Sequence, residues 1–446
     1  MQSCGFKAVL LLLVWVLPGL GLGSANPLVG QSPLLAPPPP APRKHGHSKQ
    51  SDKPSVEPST SIPTTPLGFA PPAVFYLGQH VAQVSLDFVD EDHVLFTFRV
   101  PGLIARQRPT AGEASGTERH IRAVVVAIST GVVTAEALWT LHDANDYLWM
   151  MRGGKFLLRD ENTIRIGDSE LRLTPFLRFP GIVDYLELDP SEQFLVADTR
   201  ELPAKSDGQD STMSPTAAAA NFDAEDGKQH REAQSLVRIL SMDSRKVMLF
   251  SRTDRAVHLP VDGETYYEAL RGKGGNWVIN RQAFKGAAVP VGQVESVCMP
   301  PVDAIAPGIV LVSSCTSGGG RKLSVFTDER RRLWEATLPA TSVWPQLARD
   351  GAGNRFARET IEVEQPIGPS NPIDVEGMRG QKVQVYDLAT GKVVLTVSAS
   401  PILDAGRNYA LSPSGRRFAV LNDGAIQVFD LPEAAALPTG VASQAK

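Results

Sequence analysis

The chain has 446 residues, 42% of them hydrophobic and 21% charged, which is enough material for a large core. Its 44 basic and 48 acidic residues leave a net charge of −4, or −5 once Lys7 is removed, which argues against nucleic acid as the main partner. Thirty-eight glycines and 35 prolines gather at turn positions and exceed what a helical protein tolerates.

Residues 1–25 have the form of a secretory signal: Lys7 is the positive region, Ala8–Leu17 the apolar region and Gly23-Ser24-Ala25 the small-residue cleavage site. The apolar run is short for a membrane span, so an uncleaved anchor is the alternative. Cys4 precedes that run and leaves with the leader. The expected localisation is therefore secreted, periplasmic or cell-envelope.

Residues 26–72 are rich in Pro, Ser and Thr, with Pro37–Pro40 and a basic pair at Arg43-Lys44. Such a composition predicts a disordered linker, which as polyproline II would reach at most roughly 140 Å. His45 and His47 form an H-x-H pair that a solvated linker explains without a metal.

Ala73–Leu77 is the first strand-like run and has no local partner. After it, β-branched and aromatic runs alternate with turn signals to the end of the chain. The clearest unit is the last, Arg407–Leu431. It reads as a strand, a turn at Ser412-Pro413-Ser414-Gly415, the strand Phe418–Leu421, a turn at Asn422-Asp423-Gly424 and the strand Ile426–Asp430. Its third strand recurs upstream in Ala123–Ser129, Thr163–Asp168, Leu236–Ser241, Trp277–Asn280, Leu323–Asp328 and Lys382–Leu388. The central residues Val126, Ile166, Ile239, Ile279, Phe326, Tyr386 and Phe429 are separated by 40, 73, 40, 47, 60 and 43 positions. A period in the low forties, several short strands per unit, is the signature of a β-propeller.

Seven units of about 41 residues fit residues 73–432 once the long insertions are set aside, with six or eight as alternatives if blade four is misread. Blade one holds Val84–Phe88, Val94–Val100, Ala123–Ser129 and Ala137–Leu141. Blade two spans Tyr147–Phe179 and blade three opens at Asp184–Leu188. Blade four is Val257–Gly286, blade five Val294–Leu338 and blade six Pro345–Ala399. The last unit is one strand short, and a propeller must close or leave sheet edges unpaired. The sequence thus predicts that Ala73–Leu77 completes blade seven against Ile426–Asp430, and that residues 433–446 form a flexible tail.

Val385-Tyr386-Asp387-Leu388-Ala389-Thr390-Gly391-Lys392 and Phe429-Asp430 resemble tryptophan–aspartate repeat propellers. Leu138-Trp139 and Leu333-Trp334 stand where quinoprotein-type repeats place their Trp. The resemblance implies an all-β, seven-bladed ring of four-stranded antiparallel blades and transfers no ligand site.

Three insertions, Gly102–His120, Arg200–Gln234 and Glu362–Gly380, each separate a second from a third strand. In such a ring they emerge on one face, where a rigid scaffold presents binding loops; neutral surface expansion is the competing reading. No phosphate loop, nucleophile elbow, His-Glu-x-x-His or Cys-x-x-Cys occurs. His80, His93, His120, His142, His230 and His258 lack metal spacing, and Ser317-Gly318-Gly319-Gly320 reads as a hairpin turn. The pattern assigns no catalytic, cofactor-binding or metal-ligating residue; Asp87, Asp184 and Asp303 are the candidates for lining the channel and holding a cation.

Cys298 and Cys315 lie in two runs joined by the turn Pro300–Gly308. Antiparallel pairing brings them within disulfide range, and a pair outside the cytoplasm favours the bond over two buried thiols. The expected function is that of an exported, monomeric, non-enzymatic scaffold binding a protein or cell-envelope macromolecule, with a membrane tether only if the leader stays. A lactonase-like or quinoprotein-like channel site and a glycan-binding wall protein are the alternatives.

Overall fold

The computed structural model describes residues 56–70, 84–100, 118–142, 146–200, 235–253, 258–340, 342–343, 347–365, 377–403 and 407–437. All belong to one compact unit that begins at Val56.

Among the described residues, twenty-nine strands make seven antiparallel sheets. A lone first strand, β1 (Thr60–Pro63), precedes blade one: β2 (Val84–Phe88), β3 (His93–Arg99), β4 (Arg119–Ala127) and β5 (Val133–Leu141). Blade two is β6 (Leu148–Met151), β7 (Lys155–Asp160), β8 (Thr163–Gly167) and β9 (Leu173–Arg178). Blade three is β10 (Ile182–Leu188), β11 (Phe194–Arg200), β12 (Ser235–Ser241) and β13 (Val247–Thr253). Blade four is β14 (Val261–Asp262), β15 (Thr265–Arg271), β16 (Asn276–Ala283) and β17 (Ala288–Glu295). Blade five is β18 (Val302–Ala306), β19 (Ile309–Cys315), β20 (Arg321–Thr327) and β21 (Arg332–Leu338). Blade six splits its inner strand into β22 (Ser342–Val343) and β23 (Leu347–Arg349), followed by β24 (Arg355–Val363), β25 (Met378–Asp387) and β26 (Val393–Ala399). Blade seven is β27 (Tyr409–Leu411), β28 (Arg417–Asn422) and β29 (Ala425–Asp430). The fold is a seven-bladed β-propeller.

The continuous apolar runs follow from having a neighbour on both faces of each sheet. In β4, Val124 and Val126 join a cluster with Ala419 and Leu421 of blade seven. Ile121, Ala123 and Val125 point the other way, toward Phe156 and Leu158 of blade two. In β19, Ile309 and Leu311 pack toward blade six and Val310 and Val312 toward blade four. A period-2 side-chain alternation thus divides one apolar run between two interfaces.

The repeated turns have a common chemistry. Between inner and second strands, the Phe194 N–H donates to Asp189 Oδ1 at 2.7 Å, Arg355 N–H to Asp350 Oδ1 at 3.2 Å, and Arg417 N–H to Ser412 Oγ at 3.1 Å. Between third and fourth strands, Gly131, Arg245, Arg330 and Gly391 all adopt positive φ. Gly391 is required there: a Cβ would lie 2.5 Å from Trp334, whose Nε1 donates to Leu388 O at 2.8 Å.

The closing strand differs from the one expected. β1 pairs with β29, Thr60 opposite Val428 and Ile62 opposite Ile426, within the stretch read from composition as disordered linker. Ala73–Leu77 lies outside the described residues. Thr64 donates its N–H and its hydroxyl to Gly424 O at 2.9 and 2.8 Å. Ile62, Leu67 and Phe69 are buried, and the Phe69 ring lies 5.3 Å from those of Phe96 and Phe98 in blade one. Composition averaged over 47 residues hid three apolar anchors, Ile62, Leu67 and Phe69. The expected tail differs as well: Ala435 N–H donates to Asp387 Oδ2 at 2.8 Å, and Leu437 packs on the core between blades five and six. Residues 438–446 lie outside the described part.

Cys298 and Cys315 are joined by a disulfide, with Cα atoms 5.6 Å apart. Cys298 sits in the link between β17 and β18 rather than in a strand of blade five. The bond therefore ties that link to the end of β19, beside the 2.9 Å hydrogen bond from Cys315 N–H to Ser296 Oγ.

Two outcomes are expected. A chain starting at Val56 should keep its urea midpoint, whereas one starting at residue 71 should lose several kcal/mol, because three buried apolar side chains are each worth roughly 1.5–3 kcal/mol. Equal midpoints would remove β1 from the closure. Thiol titration of the denatured chain starting at Val56 should find no free thiol before reduction and two after it. Reduction should then cost about 3 kcal/mol.

Candidate binding face and channel mouth

Each blade starts at its inner strand and meanders outward, so equivalent connections lie on the same face. The chain enters every inner strand from one face, here the entry face, and second-to-third connections return to it. Residues 100–118 join β3 to β4, residues 201–234 join β11 to β12, and residues 364–377 join β24 to β25. The strand ends that these three connections join thus all lie on the entry face, in blades one, three and six. Most of their residues lie outside the described part, but their anchors are regular: Arg200 is paired with Ser235, and Val363 with Met378.

The inner strands surround a central cavity of about 400 Å³. Asp87, Asp146, Glu187 and Asp303 line it as acids, with Arg349 and Arg407 as bases and Tyr147, Trp149 and Tyr185 as aromatic walls. Asp184 does not line the cavity. A register shift in β10 turns it outward, where Arg200 Nη2 meets it at 2.7 Å.

On the blade one side, Asp87 accepts from Ser85 Oγ at 2.6 Å and from Arg407 Nη2 at 3.2 Å. Burial raises the Asp87 pKa; Arg407 and the Ser85 hydroxyl oppose that rise, and Asp146 adds to it. Tyr147, fully enclosed, shares a 2.7 Å hydrogen bond with Thr97, and burial pushes its phenol well above the usual range.

On the opposite side, blade four offers an inner strand of two residues, and His258 occupies the approach to it. Its Nε2 lies 3.2 Å from Val302 O and 3.9 Å from Asp303 Oδ1, while Nδ1 lies 3.8 Å from Glu187 Oε2. The ring packs edge-on against Tyr185 at 5.1 Å, and the Tyr185 hydroxyl donates to Glu187. Burial, then the Glu187 charge, raises the Tyr185 pKa far above normal, so it stays a donor. Asp303 is about one-third exposed to the channel, yet burial within the ring raises its pKa; His258 opposes that and Glu187 adds to it. Arg349 donates to Ala304 O at 2.6 Å and to Leu188 O, stapling blades three, five and six. Burial lowers the Arg358 guanidinium, behind this wall, to about 10.

Among the described residues no three His, Cys, Asp or Glu side chains are placed to hold a metal ion. Asp87 and Asp303 belong to separate clusters on different blades, so the three candidate carboxylates do not converge. The described histidines other than His258 pair locally, His93 with Asp90 at 2.9 Å, His120 with Glu118 at 3.5 Å and His142 with Asp160 at 3.1 Å. His80 and His230 lie outside the described residues. Sequence reasoning missed Glu187, Tyr185, His258 and Arg407; only the alternating polar Tyr185-x-Glu187 in an inner strand could have marked them. Among the described residues no helix is long and apolar enough to cross a membrane.

No family model matches the chain, and no curated protein does. Similar solved structures include the acylaminoacyl peptidase of Pyrococcus horikoshii, 10% identical with a TM-score of 0.45, over 79% of this chain and 52% of that one. The chain therefore spans about half the length of that peptidase. The β-propeller domain of the Trilobed protease from Pyrococcus furiosus, with its open velcro topology, is 10% identical with a TM-score of 0.41, over 78% and 96%. A chain of a mitotic checkpoint complex is 12% identical with a TM-score of 0.38, over 86% and 98%. These likenesses concern fold alone.

Replacing Arg407 with Met should expose the cost of the buried Asp87 charge. Its folded pKa would rise further above the ordinary carboxylate value, so native stability would be intact below that value and lost as pH climbs through the raised one. The expected deficit is about 3–5 kcal/mol at pH 7, shrinking toward pH 4, and largely recovered in Arg407→Met/Asp87→Asn. A deficit independent of pH would show that Arg407 acts by packing instead.

Proposed function

We propose that this chain is an exported, non-enzymatic propeller that binds a protein or other macromolecule of the cell envelope through its entry face. The observation that carries the reading is that the strand ends joined by all three long connections lie on one face of the ring. Long loops on a rigid ring can vary in sequence without disturbing the ladders beneath them. The groups at the mouth spend their hydrogen bonds on each other: Arg407 on Asp87, Tyr185 on Glu187, Arg349 on two carbonyls. Such internal pairing suits a braced wall better than a reactive centre. Export is supported by the leader-like residues 1–25 and by the Cys298–Cys315 bond, a linkage that persists in oxidising compartments.

A second reading rests on the cavity itself. Its volume, aromatic walls and four carboxylates suit a small ligand, as in propellers that use the central channel. The two readings separate by experiment. Residues 102–117, 201–234 and 366–376 can each be replaced by a short Gly-containing turn, since the strands they join are already in register. Cross-linking of the tagged chain to envelope and culture-medium proteins should yield a partner that the triple replacement no longer captures. Capture unchanged by the triple replacement would remove the entry-face reading. Capture abolished instead by Glu187→Gln/Asp303→Asn, with the loops intact, would move the site into the channel.

A further inference from the structure

The outer wall of blade three is built unlike the others. Every other outermost strand buries at least one side chain: Trp139 in β5, Phe176 in β9, Val291 in β17, Leu338 in β21, Leu395 in β26 and Ile62 in β1. β13 buries none along its seven residues. Its outer edge has no partner strand among the described residues.

Exposed edges are ordinarily guarded by proline or charge. β1, β9 and β17 carry Pro63, Pro175 and Pro290, and β5 and β21 carry Glu136 and Glu335. β26 lacks both guards but buries Leu395 and Ala399 against blade seven. β13 has one charge, Arg252 near its end, and begins Val-Met-Leu-Phe, with Val247 50%, Met248 38% and Phe250 49% exposed. Met248, Phe250 and Arg252 alternate onto one face, and Phe250 stands opposite Arg238 of β12. The Arg238 and Arg252 guanidinium carbons lie 5.4 and 5.9 Å from the Phe250 ring centre. Arg252 meets no carboxylate among the described residues, and Arg245 and Lys246 precede the strand, with Asp243 as the one acid in that turn.

We propose that β13 is a docking edge for an extended segment of a partner protein, added as a fifth strand to blade three. Main-chain hydrogen bonds to the open edge would supply affinity, and side chains would supply choice. The chemistry specifies the segment: apolar side chains toward the Val247–Phe250 end, and acidic ones toward Arg252. This surface is the side wall of the ring, distinct from the entry face.

The test uses the full chain and a fluorescent, capped octapeptide of alternating Val and Thr with two Glu residues at one end. Its counterpart carries Lys in place of Glu. The Glu probe should bind and slow deuterium exchange of amides within 247–253, and Phe250→Ser should weaken it at least tenfold. Arg252→Glu should weaken the Glu probe similarly and favour the Lys probe. Both altered side chains are exposed, so melting curves should match the parent; if Phe250→Ser fails to fold, the charge swap at Arg252 decides alone. Equal binding of the two probes, or unchanged exchange in β13, overturns the proposal. Concentration-dependent dimerisation abolished by Phe250→Ser would make a second copy the occupant and overturn it too. Replacing 201–234 with a short turn should leave probe affinity unchanged; tighter binding would assign the edge to that segment and overturn the partner assignment. Loss of the entry-face partner in the triple loop replacement does not bear on these outcomes.

Discussion

The ring depends on the pairing of β1 with β29. Six blades are each held by chain-adjacent strands, but the seventh has only three of its own, and without a fourth the β29 edge would face water. Four residues close it, Thr60 to Pro63, and Pro63 guards the outer edge because it has no N–H to offer a further strand. The next residues turn through Thr64–Leu67 and carry Phe69 onto Phe96 and Phe98, so one short segment grips both blades that meet at the seam. Contacts between residues hundreds of positions apart are slow to form but join the ends of the chain into one cooperative unit.

Between blades the same physics recurs with different side chains. A tryptophan from an outer strand, Trp334, stacks within 6.1 and 6.3 Å of Phe356 and Tyr386 and donates to Leu388 O. Trp139 stands at the junction of blades one and two, tilted against Phe156 with ring centres 5.5 Å apart. Its neighbour Gly167 leaves the space that the Phe156 ring fills. Polar caps at the turns, Asp189, Asp350 and Ser412, satisfy backbone donors that a tight reversal would otherwise strand. The cap residue varies because a carboxylate and a hydroxyl can both accept that hydrogen bond. The left-handed turn residue is Gly in two blades and Arg in two others, so the repeat is regular in geometry and degenerate in letters.

The channel mouth illustrates how a polar site is braced from several blades at once. Arg349 reaches carbonyls on two other blades, and His258 stands between carboxylates of blades three and five where blade four is thin. Buried charge is tolerable only when paired, which is why Asp87 is matched by Arg407 across the seam of blades one and seven.

The sequence by itself determined the blade plan. Apolar runs such as Ala123–Val126 and Ile309–Val312, spaced by turn residues, leave no arrangement except sheets buried on both faces; the period points to seven, and the structure decided against six or eight. The positions of the three insertions were legible for the same reason, since each depends on strand order alone; the cysteine pair was legible too, though Cys298 lies in the link before β18 and not in a strand beside β19. Only the tertiary structure decided which N-terminal residues close the ring. Thr60–Pro63 is four residues in a proline-rich stretch, and its strand character comes from the β29 edge rather than from its own composition. The same holds for the channel. Glu187, His258, Asp303 and Arg407 are far apart in the chain and carry no shared spacing, so their meeting is set by the radius of the ring and by which residue of each inner strand faces the axis. Asp184 shows the limit in a single position: one register shift in β10 moved it from the channel to Arg200, and no local pattern announces such a shift.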